Sequence, residues 1–274
     1  MSGLTYRNGL AILQIVFFSV YLVCGILLCI RHGFSRKSGW LILITFSLLR
    51  LIGASFELAA IHYASRSVYG GALICEAIGI SPLTVLNLGL LIRVNRWLTT
   101  KITAKHFGLL SIASLVGISL SIYGGTKAAG SATPLAPNAF MRAGACVFTA
   151  IYLAACAIFA HLWRHRAGVP AGSETRLLYA FAACAPLIAV RLAYALVAQF
   201  AGDARFSSFG GDPTVYLCMS VLEEIAAVAI CVGTGLTLAR LPAEMLAEGG
   251  RAGSSRDEEE GKGGGQVRVQ QARY

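Results

Sequence analysis

Six ionisable side chains inside apolar segments are the residues of this sequence best suited to chemistry. Two of them share the stretch "LLRLIGASFELAA" at 48–60, where a charge held away from water costs free energy. The six are Arg50, Glu57, Glu76, Arg191, Glu223 and Glu224. Carboxylates and guanidiniums gathered in apolar surroundings can hold a polar ligand or ion, or exchange protons with a substrate.

The composition indicates a multi-pass membrane protein. Hydrophobic residues make up 56% of the chain and charged residues only 13%, whereas soluble domains carry about 25% charged residues. The mean hydropathy is +0.68. A soluble core of this size would not require so few charges, so we expect the bilayer to be the main partner of the chain.

Apolar segments near the length of about 20 residues that a helix needs to cross a membrane recur along the chain. They run over residues 9–30, 40–63, 69–92, 107–123, 143–163, 177–200 and 214–238. The first is too long for a signal peptide and lacks a cleavage site, so it is interpreted as a retained helix. Pro82 and Pro186 predict kinks in the third and sixth segments. We predict an all-α fold with seven transmembrane helices.

Two regions follow from this pattern. Residues 1–241 are predicted to form the seven-helix transmembrane domain. Residues 242–274, rich in glycine and charge, are predicted to be a disordered cytoplasmic tail.

The basic residues predict the orientation of the bundle. The loops after the first, third and fifth segments, together with the tail, hold 16 Lys and Arg, and the other side holds five. The side richer in Lys and Arg normally faces the cytoplasm, which places the amino terminus outside and the carboxyl terminus in the cytoplasm. The net charge of +10 is then a topology signal, and no nucleic-acid partner is predicted. The organelle stays open between endoplasmic reticulum, plasma membrane and vacuole.

This topology brings the six charged residues toward one layer in the outer half of the membrane. Five of them fall at depths of roughly 10–15 Å, with Arg50 nearer the midplane. Arg50 and Glu57 share a helix face but lie about 10.5 Å apart along it, so each is expected to pair with another helix. Glu223 and Glu224 point in different directions, and one is expected to meet Arg191.

The charge balance of the layer leaves three interpretations open. Four carboxylates against two arginines would carry −2, so the layer is expected to be partly protonated, hydrated, or occupied by a cation or proton. The residues could form a satisfied structural network, or bind a small molecule, lipid or ion. They could also act in acid–base catalysis, with Glu57 and one of Glu223 and Glu224 as the catalytic pair.

Metal and cofactor sites are not indicated. All eight cysteines fall within the apolar segments without a C-x-x-C spacing, and the histidines lack the spacing of a metalloprotease. We predict no metal and no cofactor.

Five stretches resemble the signature sequences of a known family. They are "TYRNGLAILQI", "RHGFSRKSGW", "LLRLIGASFELA", "EAIGISPL" and "LGLLIRVNR". Across residues 5–240 the chain resembles a family of fungal seven-helix membrane proteins that has no assigned activity. The resemblance implies the seven-helix fold and a fungal source, and it brings no catalytic residues with it.

Other seven-helix families fit less well. A retinal protein needs a lysine in the last span, and all five lysines lie outside the spans. The triplet and the Asn-Pro pair of hormone-receptor-like proteins are missing. Fungal membrane-bound terpenoid cyclases are similar in size and in their acids in spans two and seven, which is an analogy of fold alone.

An internal similarity favours transport. "LLRLIGAS" in the second segment and "AVRLAYAL" in the sixth share Arg-Leu-x-x-Ala, as expected of two three-helix repeats. We therefore predict that the polar layer binds a small lipophilic or ionic ligand in transport or sensing. The alternative is a membrane-embedded acid–base enzyme of the terpenoid-cyclase type that acts on a lipophilic substrate.

Overall fold

The computed structural model describes residues 5–32, 39–63, 65–98, 102–130, 137–169, 174–201, 204–206 and 211–238. Its α-helices are α1 (Tyr6–His32), α2 (Trp40–Ala59), α3 (Arg66–Ile78), α4 (Ile80–Asn95), α5 (Ala104–Gly130), α6 (Ala139–Arg164), α7 (Thr175–Phe200), α8 (Pro213–Tyr216) and α9 (Leu222–Thr237). Short 3₁₀ turns cover Arg166–Gly168 and Ala204–Phe206, and a π-helical turn covers Leu217–Val221. The predicted tail at 242–274 lies outside the described residues.

These helices form seven spans that are long and apolar enough to cross a membrane. Spans one, two, four, five and six are α1, α2, α5, α6 and α7. Span three consists of α3 and α4, and span seven of α8, the π-helical turn and α9. No strand occurs in the described part of the chain. The prediction of an all-α fold with seven apolar spans is confirmed.

The lipid-facing surface explains why the helices stay apolar on more than one side. On α1, Val16, Val20, Val23, Leu27 and Ile30 are each more than half exposed, while the opposite side buries residues such as Phe18 and Leu28. A helix that is hydrophobic all round is typical of a membrane span rather than of a soluble surface helix.

The bundle has two ends, which we name by the chain. The first face carries the start of α1, and the second face carries its end at His32 together with the end of α9. Arg7 donates to the Gly211 carbonyl at 3.1 Å at the first face. At the second face Arg31 donates to the Leu236 carbonyl at 2.8 Å. Spans one and seven are therefore joined at both ends.

Span three occupies the centre of the bundle. Its second half, α4, packs against α2, α6 and α7, while its first half, α3, packs against α2 and α5. The two halves meet at Gly79, whose backbone stays helical (φ −56°, ψ −27°) and whose lack of a Cβ leaves room for the guanidinium of Arg50. Pro82 also cannot donate to the carbonyl of residue 78, so the helix is weakened at this point. Span six continues as one helix through Pro186.

Span four is longer than its sequence predicted. The apolar segment 107–123 indicated about 17 residues, whereas α5 runs over 27 residues to Gly130. The polar end of the helix is tolerated because the ammonium of Lys127 lies over the rings of Tyr123 and Phe140, 5.5 and 5.4 Å from their centroids.

Candidate functional site

Four buried ionic residues from four helices meet in the bundle, and we call them the charge quartet. They are Arg50 on α2, Glu76 on α3, Arg191 on α7 and Glu224 on α9. Each lies nine to eleven residues from the end of its span at the first face, a depth of roughly 14–17 Å. The structure thus brings together four of the six predicted residues in one layer.

The quartet is a closed ring of alternating charges. Arg50 Nη1 donates to Glu76 Oε2 at 2.5 Å, and its Nη2 donates to Glu224 Oε1. Arg191 Nη2 donates to Glu76 Oε1 at 2.5 Å, and its Nε donates to Glu224 Oε1 at 2.9 Å. Each carboxylate therefore contacts both guanidiniums, and the formal charges of the four residues cancel.

Two hydroxyl groups from span seven complete the coordination of Glu76. The Tyr216 hydroxyl donates to Glu76 Oε2 at 3.0 Å, and the Ser220 hydroxyl donates to Oε1 at 3.2 Å. Gln14 on α1 in turn donates to the Tyr216 hydroxyl at 3.2 Å. With two arginine donors and two hydroxyl donors, both oxygens of Glu76 are fully used.

Sequence reasoning missed Tyr216 and Ser220, although a signal was present. Tyr216, Ser220 and Glu224 are spaced four residues apart, so on a helix they lie along one side. The π-helical turn at Leu217–Val221 lies among them, in keeping with the frequent use of such turns at functional sites. Gln14 stood alone in its apolar segment, and its role could not be read from spacing.

Glu57 and Glu223 do not belong to the quartet, contrary to the expectation of one shared layer. Helix α2 ends at Ala59, so Glu57 lies only two residues, about 3 Å, from the helix end. It makes no ion pair or hydrogen bond within the described part of the chain. Glu223 points away from its neighbour Glu224, and its buried Oε2 has no hydrogen-bond partner among the described residues.

Two further expectations about the layer are wrong. The excess charge of −2 is wrong for the assembled layer, because only two carboxylates face the two arginines. Arg50 was expected nearer the midplane, but the earlier end of α2 puts it level with the other three. The expectation that Arg50 pairs across helices is correct.

The burial of the quartet makes its pairing energetically important. Glu224 is fully buried, and the three other side chains are at most 10% exposed. A buried ion pair contributes little net stability, but removing one partner leaves an uncompensated charge and costs about 3–5 kcal/mol. Arg50 Nε and Glu224 Oε2 have no partner among the described residues, so each of these two side chains keeps one buried polar atom without a hydrogen bond.

A second buried ion pair lies near the second face. Arg93, in the last turn of α4, donates through Nε and Nη2 to the two carboxylate oxygens of Glu174 at 3.0 and 2.7 Å. Asn95 closes the adjacent loop by exchanging hydrogen bonds of 2.9 Å with the backbone of Ile102. The sequence interpretation counted Arg93 as a loop charge and gave Glu174 no role, because the apolar segment ended before Arg93.

A cavity of about 40 Å³ lies beside the quartet, between spans three, four, five and six. Its lining residues are Leu73, Glu76, Ala77, Ser121, Met141, Ala145, Phe148, Arg191, Tyr194, Ala195, Ala198 and Gln199. Met141 and Gln199 lie within two residues of helix ends at the first face, whereas Glu76 and Arg191 lie in the layer. The cavity therefore extends from near the first face to the quartet. Its volume suits two or three water-sized groups.

Unused hydrogen-bonding groups lie on the wall of this cavity. Arg191 donates through Nε and Nη2 to the two carboxylates, while its Nη1 donates to no residue in the described part of the chain. Gln199 Oε1 is buried and has no partner there either. The cavity thus offers one charged donor in a mainly apolar enclosure, and the Gln199 side chain is among its lining residues.

Metal binding finds no support in the described residues, where no group of three His, Cys, Asp or Glu could hold a metal ion. Cys184 and Cys231 approach to 3.9 Å between their sulfur atoms, and both are buried as free thiols.

Comparison with known proteins supplies the family. Residues 4–241 match the family described as "Domain of unknown function (DUF7702)". The chain belongs to this family. No curated protein matches the chain, and no solved structure matches it. The resemblance to a family without assigned activity is confirmed, and it assigns no ligand or reaction to the quartet.

Proposed function

We propose that this multi-pass membrane protein binds a small polar molecule in the cavity beside Arg191, in transport or in sensing. The supporting observation is the cavity that extends from near the first face to Arg191, whose Nη1 donates to no described residue. An intramembrane arginine with a free donor at the end of a cavity is a candidate ligand anchor.

The chemistry of the cavity defines the class of ligand. Arg191 requires an acceptor, such as a hydroxyl, carbonyl or carboxylate oxygen, and Gln199 adds a polar side chain to the lining. Leu73, Met141 and Phe148 supply apolar walls. The volume of about 40 Å³ limits the buried part of the ligand to a few heavy atoms. The ligand is therefore a small polar molecule or the polar end of a lipophilic one.

The predicted binding set is revised accordingly. Arg191 is the direct anchor, Glu76 and Glu224 hold its guanidinium in place, and Arg50 holds the two carboxylates. Glu57 and Glu223 lie outside the quartet and have no assigned role in binding.

The enzyme alternative is less well supported. General acid catalysis requires a carboxyl group that can transfer a proton to the substrate. Both oxygens of Glu76 are occupied by four donors, and Glu224 is closed off from solvent. Glu57 and Glu223, the remaining catalytic candidates, do not contact the quartet and do not line the cavity.

We infer that the first face lies outside the cytoplasm, because the loops and tail on the second face carry most of the Lys and Arg. The cavity would then receive its ligand from outside or from an organelle lumen. The fungal source implied by the resemblance is part of the same proposal.

Ligand-induced stabilisation tests the binding proposal. Purified protein in nanodiscs is heated with formate, acetate, ethylene glycol or formamide, which match the size and the acceptor chemistry of the cavity. Ligand at 100 times its Kd stabilises the folded state by about 2.7 kcal/mol. We expect at least one compound to raise the Tm in a concentration-dependent manner.

Two alanines of α7 provide a matched pair of variants. Ala195 lines the cavity, and Ala193 is exposed on the lipid-facing side. Ala195→Leu fills the cavity and should abolish the Tm shift, while Ala193→Leu adds the same volume outside and should keep it. Equal shifts in both variants would show that the compounds bind elsewhere, and the proposal would be wrong.

A further inference from the structure

Spans three and six carry two ion pairs with reversed polarity. Span three has its acid, Glu76, toward the first face and its base, Arg93, toward the second, while span six has Arg191 and Glu174 in the same order. The two residues are 17 positions apart on each span (93 minus 76 and 191 minus 174). Because the spans are antiparallel and the two separations are equal, both ion pairs can form at the same time. The two pairs lie about 26 Å apart along the helices.

The space between the two spans differs at the two ends. Toward the second face α4 packs directly against α7. Toward the first face the cavity separates α3 from α7, and α3 packs instead against α2 and α5. The structure is thus closed at the second face, and a cavity extends into it from the first.

Each span also has a point of weakness between its two ionic residues. Span three contains Pro82, close to the junction of α3 and α4 at Gly79, and span six contains Pro186 within one continuous helix. A proline removes one backbone hydrogen bond, and prolines are among the usual sites of helix bending. Each span can therefore bend at one end while its ion pair at the other end stays formed.

We propose that the protein is a transporter in which the Arg93–Glu174 pair is the gate at the second face, which we call the second gate, and the Glu76–Arg191 pair couples ligand binding in the cavity to its opening. This inference rests on the proposed binding of a small acceptor-bearing molecule at Arg191. The ligand replaces part of the contact between Arg191 and Glu76. Span six then tilts about Pro186, so that Glu174 leaves Arg93 and the second face opens. A protein that only senses the ligand would not need the second gate.

A buried native thiol reports on the second gate. Cys184 is fully buried on α7, and its sulfur faces the Ala227 carbonyl and the Cys231 sulfur of α9, so a reagent reaches it only when α7 tilts away from α9 as well as from α4. Protein in nanodiscs, where both faces meet solvent, is exposed to a sulfonated maleimide, and labelling of Cys184 is followed by peptide mass spectrometry. We expect Glu174→Gln to raise the labelling rate of Cys184 by about tenfold or more, because it removes the charge that holds Arg93.

Three comparisons control this experiment. Arg176→Gln removes an exposed charge two residues away and should leave the rate unchanged. The exchange of Arg93→Glu with Glu174→Arg should return labelling toward the wild-type rate, since it restores an ion pair. Cys29, fully buried on α1, should stay unlabelled in all variants, because local opening differs from unfolding.

The wild-type protein gives a second measurement that needs no variant. Hydrogen exchange of the amides around Gly79 and Pro186 should be faster than exchange in the middle of α6. Slower exchange at both points would overturn the proposed bending, as would equal labelling of Cys184 in Glu174→Gln and Arg176→Gln. Labelling of Cys184 and Cys29 together would also overturn it, because the pair would then maintain the whole fold.

The labelling assay separates this inference from the binding proposal, because it is run first without ligand. Acetate or another compound that stabilises the protein through the cavity should then accelerate labelling of Cys184 in the wild type. A compound that binds at the cavity but leaves the labelling rate of Cys184 unchanged would uphold the binding proposal and refute transport. Faster labelling of Cys184 in Glu174→Gln, combined with no compound that raises the Tm through the cavity, would uphold the gate and refute the binding proposal.

Discussion

Replacing Arg191 by methionine should destabilise the protein, because Glu76 and Glu224 are then left to share Arg50 and one buried negative charge is uncompensated. In the native quartet Glu224 Oε1 accepts from both Arg50 and Arg191, and the residue is fully buried. Glu76 would keep Arg50 and two hydroxyl donors, so the main loss falls on Glu224. Removing one partner of a buried ion pair costs about 3–5 kcal/mol. A loss of about 3 kcal/mol corresponds to a fall in Tm of about 6–12 °C for a chain of this length.

A second substitution shows whether the loss has this cause. Adding Glu224→Gln to Arg191→Met leaves Arg50 opposite Glu76 alone, so the formal charges cancel again. We expect this double variant to recover about 1–3 kcal/mol, the usual range of coupling between residues in contact. Glu223→Gln is the matched control, because Glu223 is the adjacent residue but lies outside the quartet, and it should recover nothing.

Thermal unfolding in detergent micelles, followed by tryptophan fluorescence, measures all three variants. Folded yield from the membrane gives an independent ranking. Rescue by Glu223→Gln to the same extent as by Glu224→Gln would refute the assignment of Glu224 as the partner of Arg191. A single Arg191→Met variant as stable as the wild type would refute the importance of the quartet.

Three smaller predictions concern single positions. Gly79→Ala should lower the Tm strongly, because its Cβ would overlap a quartet guanidinium, whereas Gly233→Ala, which has open space around it, should not. Tyr216→Phe removes one hydrogen bond to a charged group and should cost about 1.5–3 kcal/mol in thermal unfolding. A cysteine replacing Thr133 should be labelled by an impermeant reagent on the non-cytoplasmic side of the membrane and one replacing Lys101 should not, and the reverse pattern would invert the proposed orientation.

The spans and the polar layer could be predicted from the sequence because both follow from hydropathy and helix rise. The residues at which the helices begin and end could be predicted less accurately. The apolar pattern continued to residue 63, but α2 ends at Ala59, and this difference of four residues moved Glu57 out of the layer and Arg50 into it. Hydropathy does not distinguish a helix from an apolar turn, so the end of α2 could not be located from the apolar pattern.

The pairing within the layer depends on which helices are neighbours and how each is rotated, and a single sequence holds little of either. Glu223 and Glu224 were equivalent candidates until α9 placed Glu224 in the core. Arg93 and Glu174 escaped notice because they stand at the ends of apolar segments, where charges usually meet solvent. Their pair is visible only once α4 and the start of α7 are known to be adjacent.

Cryo-electron microscopy of the protein in nanodiscs, with and without a compound that raises its Tm, tests the central claim most directly. We expect ligand density in the cavity between α3 and α7, with an acceptor atom within hydrogen-bonding distance of Arg191 Nη1 and contact to Gln199. Density for the compound elsewhere on the protein, with Arg191 Nη1 bonded to a protein group and the cavity unchanged, would contradict it.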